Sequence, residues 1–427
     1  PQEIITDFLN LVDGTASAKE AALTNIEDYW EPGFVPMVIE SIYMSRDTWS
    51  NARLIEILRD RTGQRFGSDL DDWYVWLWSQ NYIPHPQYAD FKSRLYRRID
   101  PRFATYFSND RPATIRLDEV RWGGVRQDGI PPLRSPQMIE VQDADYLQED
   151  NVVFGIEING DARAYPKRIL AWHEMFVDTV GGESVTGAYC TLCGSMILYR
   201  NTLGNTRYQM GTSGFLFRSN KLMYDKKTQS LWNTLWGEPV IGPLVGKGIQ
   251  LEKLSVVTTT WAEWRRRHPN TTVLSPNTGH RRDYAEGAAY RSYFGSDALM
   301  FTVPELDHRL KNKDEIFGMV LPQAPDKPLA VASRFLRAHP VHHDRIGDDN
   351  FVIFTDTSGA HRAYESKDLT FISWDNDRTA RDASGTAWTL TENYLESKDG
   401  ERLYRLPAHN AFWFGWFAAY KNTRLVM

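Results

Sequence analysis

The sequence predicts an α+β protein: an N-terminal helical layer followed by a large, mainly antiparallel β domain with a few helical inserts. Three observations predict this fold class. Apolar residues recur at three- and four-residue spacing up to about residue 112, and short alternating segments separated by Gly, Asn and Asp follow from there to residue 427. The 15 Trp, 20 Tyr and 20 Phe suit β-sheets that pack through large side chains.

The helical prediction covers residues 1–112, which we interpret as a separate N-terminal domain. Its segments are "EIITDFLNLV", "AKEAALTNIEDYW", "FVPMVIESIYM", "NARLIEILRDRTG" and "DDWYVWLWSQ". Capping and stop signals separate them, among them Thr15 to Ser17, Pro32-Gly33, and Gly63 after a basic last turn. Successive short helices of this kind are typical of a scaffold or docking element, so we expect a possible protein partner to bind through this domain.

The second predicted domain covers residues 113–427 and is rich in strands. Segments such as "VVFGIEI", "MILYR", "VVTTT" and "FVIFTD" alternate with turn residues. Two stretches, "RAYPKRILAWHEMFVD" and "TWAEWRRRHPN", are predicted to be helical inserts in this β domain.

Composition and charge exclude some classes of function but do not determine the cellular compartment. The net charge of -6 gives no basic surface for a nucleic-acid partner, and no apolar run is long enough for a transmembrane segment. The chain opens at Pro1 and not at Met, which is what removal of a signal peptide would leave. We therefore expect an exported protein, periplasmic or extracellular.

The stretch "GAYCTLCGSMILYR" holds both cysteines of the chain, Cys190 and Cys193. A Cys-x-x-Cys pair can form a disulfide, stay as buried thiols, bind a metal or act as a redox-active dithiol, and the sequence leaves these alternatives open. The strand predicted directly after Cys193 is unlike thioredoxin, in which the pair opens a helix.

The sharpest hypothesis is a soft-metal site that also serves as the catalytic centre. The helix that carries His173 and the hairpin after it could return the imidazole to Cys190 and Cys193, which makes three predicted ligands. Two thiolates and an imidazole favour copper over zinc in an exported three-ligand site. His409 precedes a ring-rich, buried run, "AFWFGWFAAY", and is the candidate for a fourth ligand.

Several long motifs, in a fixed order, are the basis of a resemblance to a known family. "WHE", "YCTLCGSMILYR", "GTSGFLFRSNKLMYDKKTQSLW", "GEPVIGPLVGK", "TWAEWRRRHPNTTVLS", "RLKNKDEIFGMV" and "LPAHNAFWFGWFAAYKNTRLV" resemble the pattern of the DUF3179 family over roughly residues 115 to 427. The family often has Cys-Pro-x-Cys, whereas Thr191 occupies the Pro position here. The resemblance implies export, because family members look largely like exported bacterial and archaeal proteins, and it implies no activity.

Two functions from different classes remain at this point. The first is an exported, metal-dependent oxidoreductase, with copper as the expected cofactor, that acts on an unidentified small molecule or peptide through His173, Cys190 and Cys193. The second is a non-catalytic binding or scaffold protein in which the cysteine pair is a structural disulfide.

Overall fold

The computed structural model describes residues 2–427, so Pro1 lies outside the described residues. Helices concentrate in the N-terminal part and antiparallel sheets fill the remainder, which confirms the predicted α+β class. Within the described residues, no helix is both long and apolar enough to cross a membrane.

Six helices form the N-terminal layer of the described residues, and some of them begin or end at the predicted capping signals. Thr15 and Asp47 each accept a backbone N–H at the start of a helix, and Gly63 ends a helix in the left-handed region at φ 75°. The helices are α1 (Gln2–Asp13), α2 (Ala16–Asp28), α3 (Val35–Met44), α4 (Thr48–Thr62), α5 (Leu70–Ser79) and α6 (Tyr88–Tyr96).

The apolar core of these helices continues into a neighbouring sheet. Phe215 of that sheet packs edge-on against Tyr96, Phe103 and Phe107, with ring centroids 4.8–5.1 Å apart. Edge-to-face aromatic pairs of this kind add about 1 kcal/mol each beyond the buried area. The β part of the chain begins with a bridge between Ala113 and Ile241, next to the predicted boundary at residue 112, and the division into two separate domains stays a prediction.

The β part contains an internal structural repeat, of which the first copy is residues 152–274. It is preceded by β1 (Val120–Trp122), β2 (Leu133–Arg134) and β3 (Met138–Glu140). Its elements are β4 (Val152–Ile158), β5 (Asp161–Pro166), α7 (Lys167–His173), β6 (Met175–Val180), β7 (Glu183–Cys190), β8 (Ser195–Arg200), β9 (Thr202–Leu203), β10 (Thr206–Arg207), β11 (Met210–Phe217), β12 (Asn220–Asp225), β13 (Leu231–Asn233), β14 (Glu238–Ile241), β15 (Lys253–Leu254), β16 (Val257–Thr260), α8 (Trp261–Arg267) and β17 (Thr272–Leu274).

The second copy is residues 315–426, and a segment of residues 275–314 joins the two. The joining segment, which we call the linker, contains one short helix, α9 (Arg291–Phe294). The second copy consists of β18 (Glu315–Met319), β19 (Leu329–Ala332), α10 (Ser333–Ala338), β20 (Val341–Ile346), β21 (Asp349–Thr355), β22 (His361–Glu365), β23 (Phe371–Trp374), β24 (Thr379–Asp382), β25 (Ala387–Leu390), β26 (Tyr394–Ser397), β27 (Arg402–Tyr404), β28 (Ala408–Phe412), α11 (Trp413–Ala419) and β29 (Arg424–Val426).

The two copies share their strand order and their pairing. In the first copy β16 is antiparallel to β4, β4 is antiparallel to β5, and β5 is parallel to β17. In the second copy β28, β18, β19 and β29 repeat this order and these directions. The register repeats as well, because Gly155 pairs with Val257 and Gly318 pairs with His409 at equivalent positions.

A glycine and a tryptophan meet at the same place in both copies. A Cβ on Gly155 would lie 2.2 Å from a ring carbon of Trp264, and a Cβ on Gly318 would lie 2.3 Å from a ring carbon of Trp416. Both indoles are fixed in the same way, since each Nε1–H donates to a threonine hydroxyl seven positions further on at 2.9 Å. Identical contacts at equivalent positions establish the repeat at the level of side chains.

Candidate functional site

Cys190 and Cys193 form a disulfide at the turn between β7 and β8. Cys190 is the last residue of β7 and pairs with Ser195, the first residue of β8. Gly194 completes the turn at φ 60°, a left-handed conformation that glycine adopts without steric cost. The two Cα atoms are 5.2 Å apart and the Sγ atoms are bonded. Of the alternatives that the sequence left open, the structure contains the disulfide.

The disulfide is buried against the second copy of the repeat. Cys193 is fully buried, and its backbone carbonyl accepts the Phe412 N–H at 2.7 Å. Gly415 of α11 packs against the Cys193 Cβ, and the Cys193 Sγ lies 3.5 Å from the carbonyl oxygen of Ser219. The cysteine turn therefore lies where the two copies meet.

His173 lies at the end of α7, but its imidazole forms hydrogen bonds away from the sulfur atoms. Nδ1 is 2.8 Å from the Pro131 carbonyl oxygen, which can only accept, so Nδ1 carries the proton. Nε2 then accepts from the Tyr284 hydroxyl at 2.5 Å. Burial is the main cause that lowers the pKa of His173 to about 4, so the ring is neutral at pH 7. A metal could bind Nε2 only after Tyr284 had moved away.

The second predicted imidazole, His409, lies on β28 beside Trp416, with ring centroids 5.6 Å apart. Burial, followed by the positive charge of Lys253, lowers the pKa of His409 to about 3, and its Nε2 has no hydrogen-bond partner. Across residues 2–427 the structure has no group of three or more His, Cys, Asp or Glu side chains arranged to hold a metal ion. Binding of copper or zinc by these residues stays a prediction.

Two charged residues that we did not predict as site residues, Glu174 and Lys221, lie buried between α7, β7 and β12. Lys221 Nζ donates to the carbonyl oxygens of Glu174 at 2.5 Å and Tyr189 at 3.2 Å, and it lies 3.6 Å from the Glu174 carboxylate. Burial raises the pKa of Glu174, and burial lowers the pKa of Lys221 to about 8. A carboxyl and an amine with pKa values shifted towards neutrality are suited to proton transfer.

This pair faces a small cavity of about 60 Å³. The cavity wall also includes Leu192, which lies between the two cysteines, and Tyr290 from the linker. Tyr293, also in the linker, donates its hydroxyl to the Leu192 carbonyl at 2.7 Å and so holds the linker over the cysteine turn. The cavity has room for a few water-sized groups.

Strained backbone conformations cluster around this cavity. Glu174, Arg218, Ser219 and Tyr290 all have positive φ, between 48° and 65°, although none of them is glycine. Each such residue costs of order 1 kcal/mol or more, and strain of this kind concentrates at functional sites. The turn that includes Arg218 and Ser219 directly precedes Lys221 and contacts Cys193. Strain, shifted pKa values and a cavity therefore coincide at one place.

The second copy of the repeat closes the equivalent hairpin without sulfur, in a turn that is one residue shorter, since Thr355 pairs with His361 where Tyr189 pairs with Met196. Val180 pairs with Glu183 in the first copy and Ile346 pairs with Asp349 in the second, so Asp356 is the equivalent of Cys190. The Asp356 carboxylate closes that turn by accepting the backbone N–H groups of residues 358 and 360 at 3.0 and 3.1 Å. A turn at this place in the repeat can thus be closed by an aspartate, without sulfur.

The buried carboxylate is also specific to the first copy. Tyr189 N–H donates to the Glu174 carbonyl at 2.9 Å, and Thr355 N–H donates to the Pro340 carbonyl at the same distance. Pro340 therefore occupies the position of Glu174 and cannot supply a carboxyl group. The Cys190–Cys193 disulfide and the carboxyl group at the position of Glu174 both occur in the first copy only.

Taken together, the fold and this site define an α+β protein with an internal repeat and one buried disulfide centre. The family model described as "Protein of unknown function (DUF3179)" matches residues 127–423, which is most of the chain. The chain belongs to the DUF3179 family. No curated protein and no solved structure matches it.

Glu174 and Lys221 could have been found from the sequence. Glu174 is the last letter of "WHE" and Lys221 lies within "GTSGFLFRSNKLMYDKKTQSLW", two of the motifs on which the family resemblance rests. The residue types typical of soft-metal sites single out His173 in the first motif and not the adjacent Glu174.

Proposed function

We propose that the protein is an oxidoreductase whose Cys190–Cys193 pair alternates between disulfide and dithiol. The observation that carries this proposal is the turn around Asp356, which is closed without sulfur in the second copy of the repeat. A disulfide at a sequence separation of 3 adds only about 2 kcal/mol through loop closure. Stability alone therefore gives a weak reason for a disulfide at this turn.

The proposed reaction is thiol–disulfide exchange with a dithiol substrate. A substrate thiolate attacks one sulfur of the pair, and the S–S bond breaks to form a mixed disulfide and one protein thiolate. The buried Glu174–Lys221 ion pair supplies a proton to that thiolate. The second substrate thiol then displaces the other protein sulfur and passes its own proton to it, so the substrate leaves as a disulfide and the protein holds two thiols. A disulfide substrate reverses the sequence.

Access to the sulfur atoms requires movement of the linker in this mechanism. Cys190 is only 3% exposed, and Tyr293 holds the linker at Leu192. A substrate must displace that contact before it can attack. The linker has little regular structure beyond α9, and few backbone hydrogen bonds would be lost in such a movement.

Copper belongs to the reduced form of this proposal. Two thiols released at Cys-x-x-Cys spacing can bind copper(I), ahead of zinc, and His173 and His409 remain the proposed additional ligands. Disulfides persist in oxidising compartments, which supports the proposal of an exported, periplasmic or extracellular protein. The alternative is a binding or scaffold protein with a structural disulfide, and the burial of the pair among Leu192, Leu216, Phe412 and Phe414 favours it.

A redox titration of the intact chain separates the two functions. Free thiols are counted by mass spectrometry across a series of dithiol buffers, in the wild type and in Glu174→Gln, with Lys226→Met on an exposed part of the same region as a matched control. We expect a reduction potential above about -270 mV, within the range of redox-active pairs, and slower exchange in Glu174→Gln. A potential below about -300 mV would leave the structural disulfide as the better function. Anaerobic copper(I) titration of the reduced wild type and of Cys190→Ser tests the metal.

A further inference from the structure

The repeat creates two equivalent cavities, each where a helix end of one copy meets a β-turn of the other. In the first cavity the end of α8, at His268, faces the turn between β25 and β26, and the volume is about 250 Å³. In the second cavity the end of α11, at Tyr420, faces the turn between β13 and β14, and the volume is about 810 Å³. His268 and Tyr420 are the C-cap residues of their helices, so the two cavities lie at equivalent places in the repeat.

The charges around the first cavity are paired with one another. Arg362 is fully buried and forms ion pairs with Asp356 at 2.8 Å and Glu392 at 2.9 Å. Arg405 joins the same network through an ion pair with Glu392 at 3.1 Å, and the His268 imidazole lies 3.5 Å from the Glu392 carboxylate. The protein itself satisfies these groups, and a ligand has little to add.

The second cavity differs because two opposite charges in its wall attract each other without forming a direct ion pair. Glu238 of β14 and Lys253 of β15 both line it. Neither side chain forms a hydrogen bond, or an ion pair within 4.0 Å, with any residue from 2 to 427. Burial raises the pKa of Glu238 and lowers the pKa of Lys253 to about 8, and the attraction between the two opposite charges offsets only part of each shift.

The remaining wall of this cavity is aromatic and aliphatic. Its volume lies within the range of pockets for ligands much larger than one amino acid. Ring faces and proline rings give flat apolar surfaces that contact hydrocarbon groups well. The apolar lining residues include Trp236, Leu321, Pro322, Pro325, Pro407 and Tyr420.

We propose that this cavity binds a short peptide with free termini and apolar side chains. The peptide carboxylate pairs with the Lys253 ammonium, the peptide ammonium pairs with the Glu238 carboxylate, and the apolar side chains contact Trp236 and the prolines. Such a ligand supplies each charge with the direct, hydrogen-bonded ion pair that Glu238 and Lys253 do not form with each other. The proposal concerns a site separate from the Cys190–Cys193 turn and does not depend on redox activity there.

Calorimetric titration of the intact chain with trileucine tests the proposal. We expect binding to the wild type, and a loss of about tenfold or more in affinity for Glu238→Gln and for Lys253→Met. Glu252→Gln is the matched control, because Glu252 lines the same cavity but is already paired with Arg200 at 2.8 Å.

Blocked peptides test the same contacts on the unmodified protein, so the result does not depend on how well the variants fold. N-acetylation of the peptide should reproduce the loss seen with Glu238→Gln, and C-terminal amidation should reproduce the loss seen with Lys253→Met. Absence of binding to the wild type at about 1 mM peptide would overturn the proposal. So would equal binding of free and blocked peptides, which would make the cavity a general apolar site.

Discussion

Replacement of Gly155 or Gly318 by alanine should destabilise the protein to a similar degree in both copies of the repeat. The added Cβ would lie inside 3.0 Å of ring carbons of Trp264 or Trp416, where Cβ atoms essentially never lie. The shortest distances would be 2.2 Å to Trp264 and 2.3 Å to Trp416. Carbon atoms separate to about 3.5–4.0 Å, so each indole has to move by about 1 Å or more.

The magnitude follows from three effects. Forcing a methyl group into a packed core costs about 1–3 kcal/mol. Movement of either indole also weakens the 2.9 Å hydrogen bond from its Nε1–H, worth about 1 kcal/mol. Alanine returns about 0.5–1 kcal/mol, because glycine is the more flexible residue in the unfolded chain. We expect a net loss of about 2 kcal/mol in the free energy of unfolding.

Urea unfolding monitored by circular dichroism measures this loss. Gly67→Ala is the matched control, since a Cβ at that position meets no atom within 4 Å. In a double-mutant cycle, Trp264→Leu should make Gly155→Ala less costly, because the shorter side chain leaves room for the methyl group. Effects on Gly155 and Gly318 no larger than that of the control would refute the reasoning, as would a large effect at only one of them.

Two further predictions concern buried ionisable groups. Lys221→Met alone should lower the free energy of unfolding by about 3–5 kcal/mol, because it leaves Glu174 buried without its cation. The double variant with Glu174→Gln should lower it by less than the sum of the two single variants. Additive effects in equilibrium unfolding would contradict this prediction. Burial lowers the pKa of His409 to about 3 from an ordinary value of 6.5, so the unfolded chain binds a proton at this residue more readily than the folded chain does. The free energy of unfolding therefore falls as the pH drops from 6.5 towards 3, by about 1.4 kcal/mol per pH unit for this group. In urea unfolding at several pH values, His409→Phe should reduce this dependence of the free energy of unfolding on pH. His308→Phe, at an exposed position, is the control and should leave it unchanged. An unchanged slope in His409→Phe would contradict the prediction.

The sequence predicted the local structure well, because local signals determine it. The helix that begins after Thr15 and the one that ends at Gly63 follow from capping and stop residues alone. The insert "TWAEWRRRHPN" is α8, as predicted. The end of α7 lies next to β7, but the His173 imidazole, which we expected beside the sulfur atoms, contacts Tyr284.

What the sequence did not predict depends on contacts between distant segments. Successive residues at the end of α7 point in different directions, so Glu174 reaches Lys221 while His173 reaches Tyr284, 111 positions further on. Nothing near His173 in the sequence indicates that contact. The repeat did leave a signal, because Trp261 and Trp413 each open a Trp-x-x-Trp pair followed by Asn-Thr at the same spacing.

The internal repeat gives this chain a freedom that an assembly of identical subunits lacks. In a symmetric dimer every substitution appears twice, so a residue that serves one interface must also be tolerated in the other. Here each copy of the repeat has its own sequence, and the same position is Cys190 in the first copy and Asp356 in the second. One half closes its turn through paired charges while the other half contains the disulfide and the buried Glu174–Lys221 pair, so the two halves of a single polypeptide differ at equivalent positions.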